Sequence, residues 1–281
     1  MTVRVASWNI EGRLTDLAIN RRGTPDHILS GIVKLRADVL FLAEAFGAEV
    51  LNDDIRKQLD KLGYHIVEVP YSEGGAARLA PAVHSPSMML LSKLPITSYQ
   101  TIRLGDLRNA ILVHIKDPST DKTLRVIGVH LDDRSEVLRL KQAPDLINII
   151  QETSEPTIVM GDFNAMHGGD ILPAKLLRSL PIRTAAKYVV PELSLRAVDM
   201  AKGDTLKQIM HQTGLRDADR RHRPTTTPKL RGREWLPSIR LMQIDHILVS
   251  PTINISNFRV STDGGSDHRA ISATVTLDKN S

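Results

Sequence analysis

Several apolar stretches of this chain end abruptly in an acid, an amide or a histidine, and this pattern constrains the fold more than any other feature. In Pro156–Ala165, the apolar run Thr157–Met160 is followed by Gly-Asp-Phe-Asn. Such a run predicts a buried strand, and the glycine permits a sharp turn. Alternate residues of an extended chain face the same way, so Asp162 and Asn164 should point together. The pair can position a water or a metal-bound phosphate, although it is also ordinary turn chemistry.

Other apolar segments carry comparable residues. They are Asn9 after the first strand, Glu44 after Val39–Ala43, His130 after Leu124–Val129, Asp245 within Ile244–Val249, and Asp267 and His268 before Ala270–Leu277. A carboxylate that closes an apolar strand costs free energy unless it is solvated, paired or metal-bound. His268 next to Asp267, with Asp245 on the preceding strand to orient the imidazole, has the parts of a general-base dyad. His130 can equally be a structural histidine at a strand end.

Turn signals divide the middle of the chain into the strands Ser87–Ser92, Thr97–Leu104, Asn109–Lys116 and Thr123–His130. Their spacing predicts an antiparallel meander within a sandwich and not a series of βαβ units. A helix is predicted from about Ser135 to Gln151, with Val137 among the residues on its buried side. Further helices are predicted over residues 24–36, 49–62 and 205–213.

A chain of 281 residues, 41% apolar and 25% charged, can bury a large core. Because no Pro/Gly/Ser linker divides it, residues 1–281 are predicted to form one domain, with an irregular basic insertion at about 166–241. The absence of cysteine excludes disulfides and thiolate metal sites. The first residues lack the basic and apolar pattern of a signal peptide, and the sequence has no long apolar run, so we expect a monomeric cytoplasmic protein without membrane insertion.

The net charge of +5 favours an anionic partner, such as nucleic acid, a phosphorylated metabolite or a lipid headgroup. Between Arg216 and Arg240 there are eight Lys or Arg residues and three acids. We expect Arg221, Arg223 and Arg231 to border the mouth of the site and to bind phosphates flanking the scissile one. The alternative is a solvated charged loop.

Taken together, these motifs resemble the endonuclease/exonuclease/phosphatase superfamily. The matching motifs are Trp8-Asn9-Ile10, Glu44, His130-Leu131-Asp132, Gly161-Asp162-Phe163-Asn164, Ile244-Asp245-His246-Ile247 and Ser266-Asp267-His268. The resemblance covers residues 3 to 277. It implies a DNase I-like four-layer α/β/β/α sandwich, with two mainly antiparallel sheets flanked by helices. It also implies that the strand ends converge on a divalent metal, Mg²⁺ or Mn²⁺, and on a phosphate ester.

The resemblance also implies roles for the metal-binding residues. Glu44 would be the principal metal ligand, and Asn9 and Asp267 would complete or support that shell. Asp162 and Asn164 would position the nucleophilic water and the scissile phosphate. Ala43 stands where the family usually has glutamine, so a second metal site is doubtful.

The two histidines have further implied roles. His268, oriented by Asp245, would act as a base or as a phosphate contact. His130 matches the branch that carries a second histidine, where it would stabilise the phosphorane or protonate the leaving oxygen. No acidic partner for His130 is evident in the Ser87–Ser92 strand.

Three functional hypotheses follow. The first is a Mg²⁺-dependent phosphodiesterase that acts on nucleic acid, as a nuclease or in processing DNA ends. The second is a hydrolase of a small phosphorylated metabolite or a phospholipid headgroup. The third is a family member that has lost catalysis and serves as a binding module, which the filled catalytic positions disfavour.

Overall fold

The computed structural model describes residues 1–11, 25–45, 53–70, 87–106, 108–168, 199–226, 242–261 and 266–277. Two six-stranded β-sheets face each other, and helices cover their outer faces. The strands are β1 (Thr2–Asn9), β2 (Val39–Ala43), β3 (His65–Pro70), β4 (Ser87–Ser92), β5 (Ile96–Leu104), β6 (Arg108–Lys116), β7 (Thr123–His130), β8 (Thr157–Asp162), β9 (Arg216–Asp217), β10 (Asp245–Val249), β11 (Ile253–Val260) and β12 (Ile271–Leu277). The helices are α1 (Pro25–Leu35), α2 (Asp53–Lys61), α3 (Glu136–Gln151) and α4 (Asp204–Thr213).

The order of strands is β11-β12-β1-β2-β4-β3 in the first sheet and β5-β6-β7-β8-β10-β9 in the second. Among the described strands, β1 pairs with β2 and β7 pairs with β8 in parallel, and the other pairs are antiparallel. The predicted four-layer α/β/β/α sandwich is therefore confirmed.

The central strands are continuous apolar runs because both of their faces are buried. In β2, Phe41 points into the core between the sheets, whereas Leu40 and Leu42 pack under α1 and α2. Phe41 needs a gap in the facing sheet, since a Cβ on Gly128 would lie 2.2 Å from its ring. A full side chain at position 128 would therefore force the two sheets apart.

The predicted four-stranded meander is wrong in one respect. β5, β6 and β7 are consecutive antiparallel neighbours in the second sheet, but β4 lies in the first sheet between β2 and β3. The Lys93-Leu94-Pro95 segment is a crossing between layers and not a hairpin turn. Turn residues show that a strand ends, but they do not show which sheet receives the next one.

The predicted buried side of α3 is also wrong at its start. Val137 is 61% exposed, whereas Arg139 is fully buried. The Arg139 guanidinium donates to the Glu136 carboxylate at 2.8 Å and to the Asp132 carbonyl oxygen at 2.8 Å. The helix therefore begins on a paired polar network and becomes apolar toward Ile150. None of the described helices has both the length and the apolar character needed to cross a membrane.

Candidate active site

Strand register places the polar strand ends side by side at one end of the sandwich. In the second sheet, Asp162 is the direct neighbour of His130 in β7 and of Asp245 in β10. In the first sheet, Asn9 pairs with Ala43, the residue before Glu44. Because the two sheets face each other, both sets point into one cleft.

Hydrogen bonds join the two sheets within this cleft. The Asn9 side-chain amide donates to Glu44 Oε1 and to Asp162 Oδ2, each at 3.1 Å. The Asn9 Oδ1 accepts from the backbone N–H of Glu11 at 3.1 Å. In this orientation Asn9 holds the two carboxylates together, and its amide would have to flip to present an oxygen to a metal between them.

The backbone of the site adopts the left-handed region at Glu44 and Asn164, with φ of 52° and 49°. Non-glycine residues adopt this conformation at a cost of about 1 kcal/mol or more, and such residues cluster at functional sites. At Gly161 a Cβ would lie 1.8 Å from the Val129 carbonyl oxygen. The glycine that the sequence places before Asp162 is therefore required for close packing of β8 against β7.

Asp245 and His268, the two residues predicted to act as a general-base dyad, are hydrogen-bonded to each other. His268 Nδ1 donates to Asp245 Oδ2 at 2.9 Å, which leaves Nε2 facing Asp162 Oδ2 at 3.6 Å. Burial lowers the pKa of His268, but the charges of Asp245 and Asp162 outweigh burial and raise the pKa well above its ordinary value. The imidazole is therefore cationic at neutral pH.

His130 lies on the other side of Asp162. Its Nε2 is 3.6 Å from Asp162 Oδ2 and 3.9 Å from Glu44 Oε1, so the acids near it come from β8 and the end of β2. Burial, reinforced by the charges of Arg108 and His268, lowers the pKa of His130 well below its ordinary value. A neutral His130 therefore stands opposite a cationic His268.

The carboxylates are held in a costly environment. Burial raises the pKa of Asp162 to about 7, despite the opposing charge of His268. Burial also raises the pKa of Glu44, and Asp267 is close enough to raise it further. A nearby cation would favour the ionised form of these carboxylates, and their oxygen atoms suit a hard divalent metal. The residues present therefore fit Mg²⁺ or Mn²⁺.

Two residues of the site, Arg108 and Thr225, were missed by the sequence analysis, and a third, Ser266, was named in a motif but given no role. Arg108, at the start of β6, is buried and donates to Asp133 Oδ1 at 2.9 Å. Ser266 donates its hydroxyl to the Asn9 carbonyl oxygen at 2.7 Å and accepts from the His268 N–H at 3.1 Å. Thr225 Oγ1 accepts from the Asp245 N–H at 3.3 Å. A polar residue bordering an apolar strand was the signal that could have identified Arg108.

The predicted substrate-binding arginines are placed differently from one another. Arg221 is exposed, on a segment whose Thr226 forms a β-bridge with His268. The Arg223 guanidinium donates to Asp219 at 2.9 Å and stacks on the ring of Phe258 at 4.7 Å. Arg231 lies outside the described residues.

A sequence model of the Endonuclease/Exonuclease/phosphatase family matches residues 6–268. Comparison with curated protein sequences gives no match.

Solved structures share the fold at low sequence identity. The human Nocturnin catalytic domain with bound sulfate anion is 20% identical, with a TM-score of 0.61 over 99% of this chain and 95% of that one. An endonuclease/exonuclease/phosphatase from Bacteroides vulgatus is 18% identical, with a TM-score of 0.68 over 99% and 100%. The mannosyl-6-phosphatase Bt3783 of Bacteroides thetaiotaomicron VPI-5482 is 15% identical, with a TM-score of 0.63 over 98% and 100%.

Proposed function

As a member of the endonuclease/exonuclease/phosphatase family the chain is a phosphoric ester hydrolase, and we propose that it is a Mg²⁺-dependent phosphodiesterase that cleaves nucleic acid. The observation that carries this proposal is the convergence of both sheets on Asp162. A cationic His268, a neutral His130 and the Asn9 amide all lie within 3.6 Å of its Oδ2 atom. This combination supplies the positive charge and the hydrogen-bond donors that stabilise a phosphate group during hydrolysis.

The reaction needs a water to attack phosphorus while the P–O bond to the leaving group breaks. Asp162 would orient that water together with Asn164, whose Nδ2 donates to the Leu131 carbonyl oxygen at 3.1 Å. Cationic His268 suits contact with a phosphate oxygen, which is one of the two roles implied for it. Asp245 fixes the orientation of its ring.

The leaving oxygen requires a proton or another source of charge stabilisation. Neutral His130 can donate a hydrogen bond from a ring N–H toward the cleft, and burial restricts its exchange with bulk water. Arg108 adds positive charge behind it.

Glu44 would hold the metal, supported by Asp267 and by a flipped Asn9 amide. Glu44 keeps 29% of its side chain exposed, so the position is open to the cleft. When bound, Mg²⁺ would neutralise phosphate charge and stabilise charge that develops in the transition state.

The nucleic-acid part of the proposal is supported by the position of Arg221. Its segment is bonded into the site at both Thr225 and Thr226, so the exposed Arg221 lies a few residues along the chain from the site. The same segment also lines a cavity of about 380 Å³, whose charged residues are four arginines and one acid and could bind a phosphate of a polyanionic substrate. The lining arginines are Arg216, Arg220, Arg221 and Arg223, and the acid is Asp219.

The alternative substrate is a small phosphorylated molecule. The similarity to a solved mannosyl-6-phosphatase supports it, because that protein has the same fold over nearly its whole chain. A small substrate would need the cleft at Asp162 but not Arg221.

Turnover of a nitrophenyl phosphodiester, plasmid DNA, single-stranded DNA, RNA and a mannose 6-phosphate tests the proposal. We expect hydrolysis of nucleic acid that requires Mg²⁺ and stops in excess EDTA. Glu44→Gln should abolish it at ordinary Mg²⁺, whereas Glu152→Gln, at the exposed end of α3, should not. Undiminished hydrolysis in EDTA would contradict metal dependence. Activity on the sugar phosphate alone would favour the alternative substrate.

A further inference from the structure

A second polar cluster lies on the opposite face of β10 from the dyad. Asp245 and His246 are consecutive, so their side chains point to opposite faces of the sheet. Asp245 contacts His268, whereas the fully buried His246 packs edge-on against Phe163 at 5.4 Å between ring centroids. Its imidazole thus lies behind the loop that carries Asp162 and Asn164.

Both ring nitrogens of His246 face acceptors. Nε2 donates to the Ala165 carbonyl oxygen at 2.9 Å, and Nδ1 donates to Asp217 Oδ2 at 2.7 Å. Since a carbonyl and a carboxylate both only accept, this geometry requires a doubly protonated, cationic ring. His246 therefore joins the loop after β8 to strand β9 through a charge-assisted hydrogen bond.

The far end of this connection is also fixed. Asp217 Oδ2 lies 2.8 Å from His167 Nε2, and Asp217 Oδ1 accepts from the Asp219 N–H at 2.8 Å. His167 stacks on His222, with 3.9 Å between ring centroids and an interplanar angle of 5°. The Asp217 carboxylate is thus restrained by three hydrogen bonds and does not depend on His246 alone.

The distances favour hydrogen bonding over metal coordination. Two ligands of a tetrahedral Zn²⁺ at ordinary bond lengths lie about 3.3 Å apart. The 2.7 and 2.8 Å separations of Asp217 Oδ2 from the two imidazoles are instead those of charge-assisted hydrogen bonds. One carboxylate between two imidazoles also needs no further cation.

The element restrained by this cluster is the strained turn at Asn164. Its left-handed backbone persists only if neighbouring groups hold it. Asp162 Oδ1 accepts from the Asn164 N–H at 2.9 Å, which fixes the residue from the catalytic side. The Ala165 carbonyl, one residue later, is fixed from the opposite side by His246.

We propose that His246 is a positioning residue that holds Asn164 in its reactive orientation through the Ala165 carbonyl, with Asp217 and His167 fixing the ring. The proposal rests on the proposed function for the role of Asn164. It assigns the histidine of Ile244-Asp245-His246-Ile247 a task separate from that of its aspartate neighbour.

Two conservative substitutions separate the two bonds of His246. In His246→Gln the side-chain amide stands for Nε2 and can keep the bond to Ala165. In His246→Asn it stands for Nδ1 and can keep the bond to Asp217. We expect His246→Asn to lower kcat about tenfold with KM within about twofold, and His246→Gln to retain most of kcat. We expect the reverse order in thermal stability, because both variants remove the cation but only His246→Gln also removes the hydrogen bond to the buried Asp217.

A purely structural role would give the same order in kcat as in Tm, and that result would overturn the proposal. Wild-type kcat in both variants would also overturn it. If neither variant folds, His167→Asn, at the partly exposed end of the cluster, should lower kcat by a smaller factor, about twofold to threefold. An unchanged kcat in His167→Asn would then count against the proposal.

Amide hydrogen exchange separates failure of this proposal from failure of the proposed function. Exchange over residues 163–166 should be faster in His246→Asn than in His246→Gln, even if the wild-type chain hydrolyses none of the tested substrates. Equal exchange in the two variants would contradict the positioning role of His246 and would leave the proposed function unaffected.

Discussion

Asp245 and His246 are adjacent in sequence, yet they belong to clusters in which the pKa of a buried carboxylate is shifted in opposite directions. On the Asp245 side, burial raises the pKa of Asp162 to about 7 and lowers the pKa of His130. On the His246 side, burial acts in the same sense, but the partners outweigh it. The imidazoles lower the pKa of Asp217 well below its ordinary value, and Asp217 raises the pKa of His246.

The difference lies in the ratio of acids to cations, since both clusters use the same residue types. The cleft at Asp162 gathers several carboxylates around one cationic imidazole, which leaves negative charge that a metal could neutralise. The second cluster places one carboxylate between two imidazoles and is balanced internally. The first is therefore suited to binding, and the second to holding a loop in place.

The largest effects are expected when one aspartate of each cluster, Asp162 or Asp217, is replaced by asparagine, which has the same size but no charge. Asp162→Asn should lower kcat by about 10²-fold or more, because it removes a group that acts in the transition state, and it should leave Tm at or above the wild-type value. His268→Ala should show a similar loss of kcat. Steady-state kinetics and thermal unfolding of the purified variants measure both effects. Near-normal kcat in either variant would show that the chemistry lies elsewhere.

Asp217→Asn should behave in the opposite way and lose about 3 kcal/mol of stability, because it leaves cationic His246 buried without its partner. The lowered pKa of Asp217 adds stability above about pH 4 that is lost as pH falls, and the raised pKa of His246 adds stability below about pH 6.5 that is lost as pH rises. Denaturant unfolding at several pH values should show this window in the wild type and a weaker pH dependence in Asp217→Asn. A variant as stable as the wild type would break the comparison.

The pH dependence of activity should respond to metal concentration. Because the pKa of Asp162 is raised to about 7, its ionised form predominates only above about that pH when no metal is bound. A divalent cation favours the ionised carboxylates, so saturating Mg²⁺ should move the acidic limb of kcat/KM about one pH unit lower than limiting Mg²⁺ does. If the acidic limb lies at the same pH under both conditions, the cleft does not have the excess negative charge that we assign to it.

The smallest effect is expected at the rim. Arg221→Ala should raise KM for DNA about threefold at low salt, less at high salt, and should not change KM for a nitrophenyl diester. Lys207→Ala, on the exposed face of α4, is the matched control. An unchanged KM on DNA at low salt would count against both the role of Arg221 and nucleic acid as the substrate.

The strand ends could be predicted from the sequence because the residues that mark them are neighbours in the chain. An apolar run followed by Gly-Asp-Phe-Asn indicates a buried strand and the polar residues that leave it, and the structure places Asp162 at the end of β8. The sequence could not show that β4 joins the first sheet or that Arg139 is buried in place of Val137. Sheet membership and helix rotation depend on partners far away in the chain.

The sequence by itself determined the alternation of buried strands and the polar residues at their ends, because side-chain periodicity follows from backbone geometry. Only the tertiary structure decided which of those residues are charged. His268 and His130 stand at similar strand ends, yet their pKa values move in opposite directions. Protonation depends on burial and on the charges within a few ångströms, and those neighbours come together only when the two sheets pack.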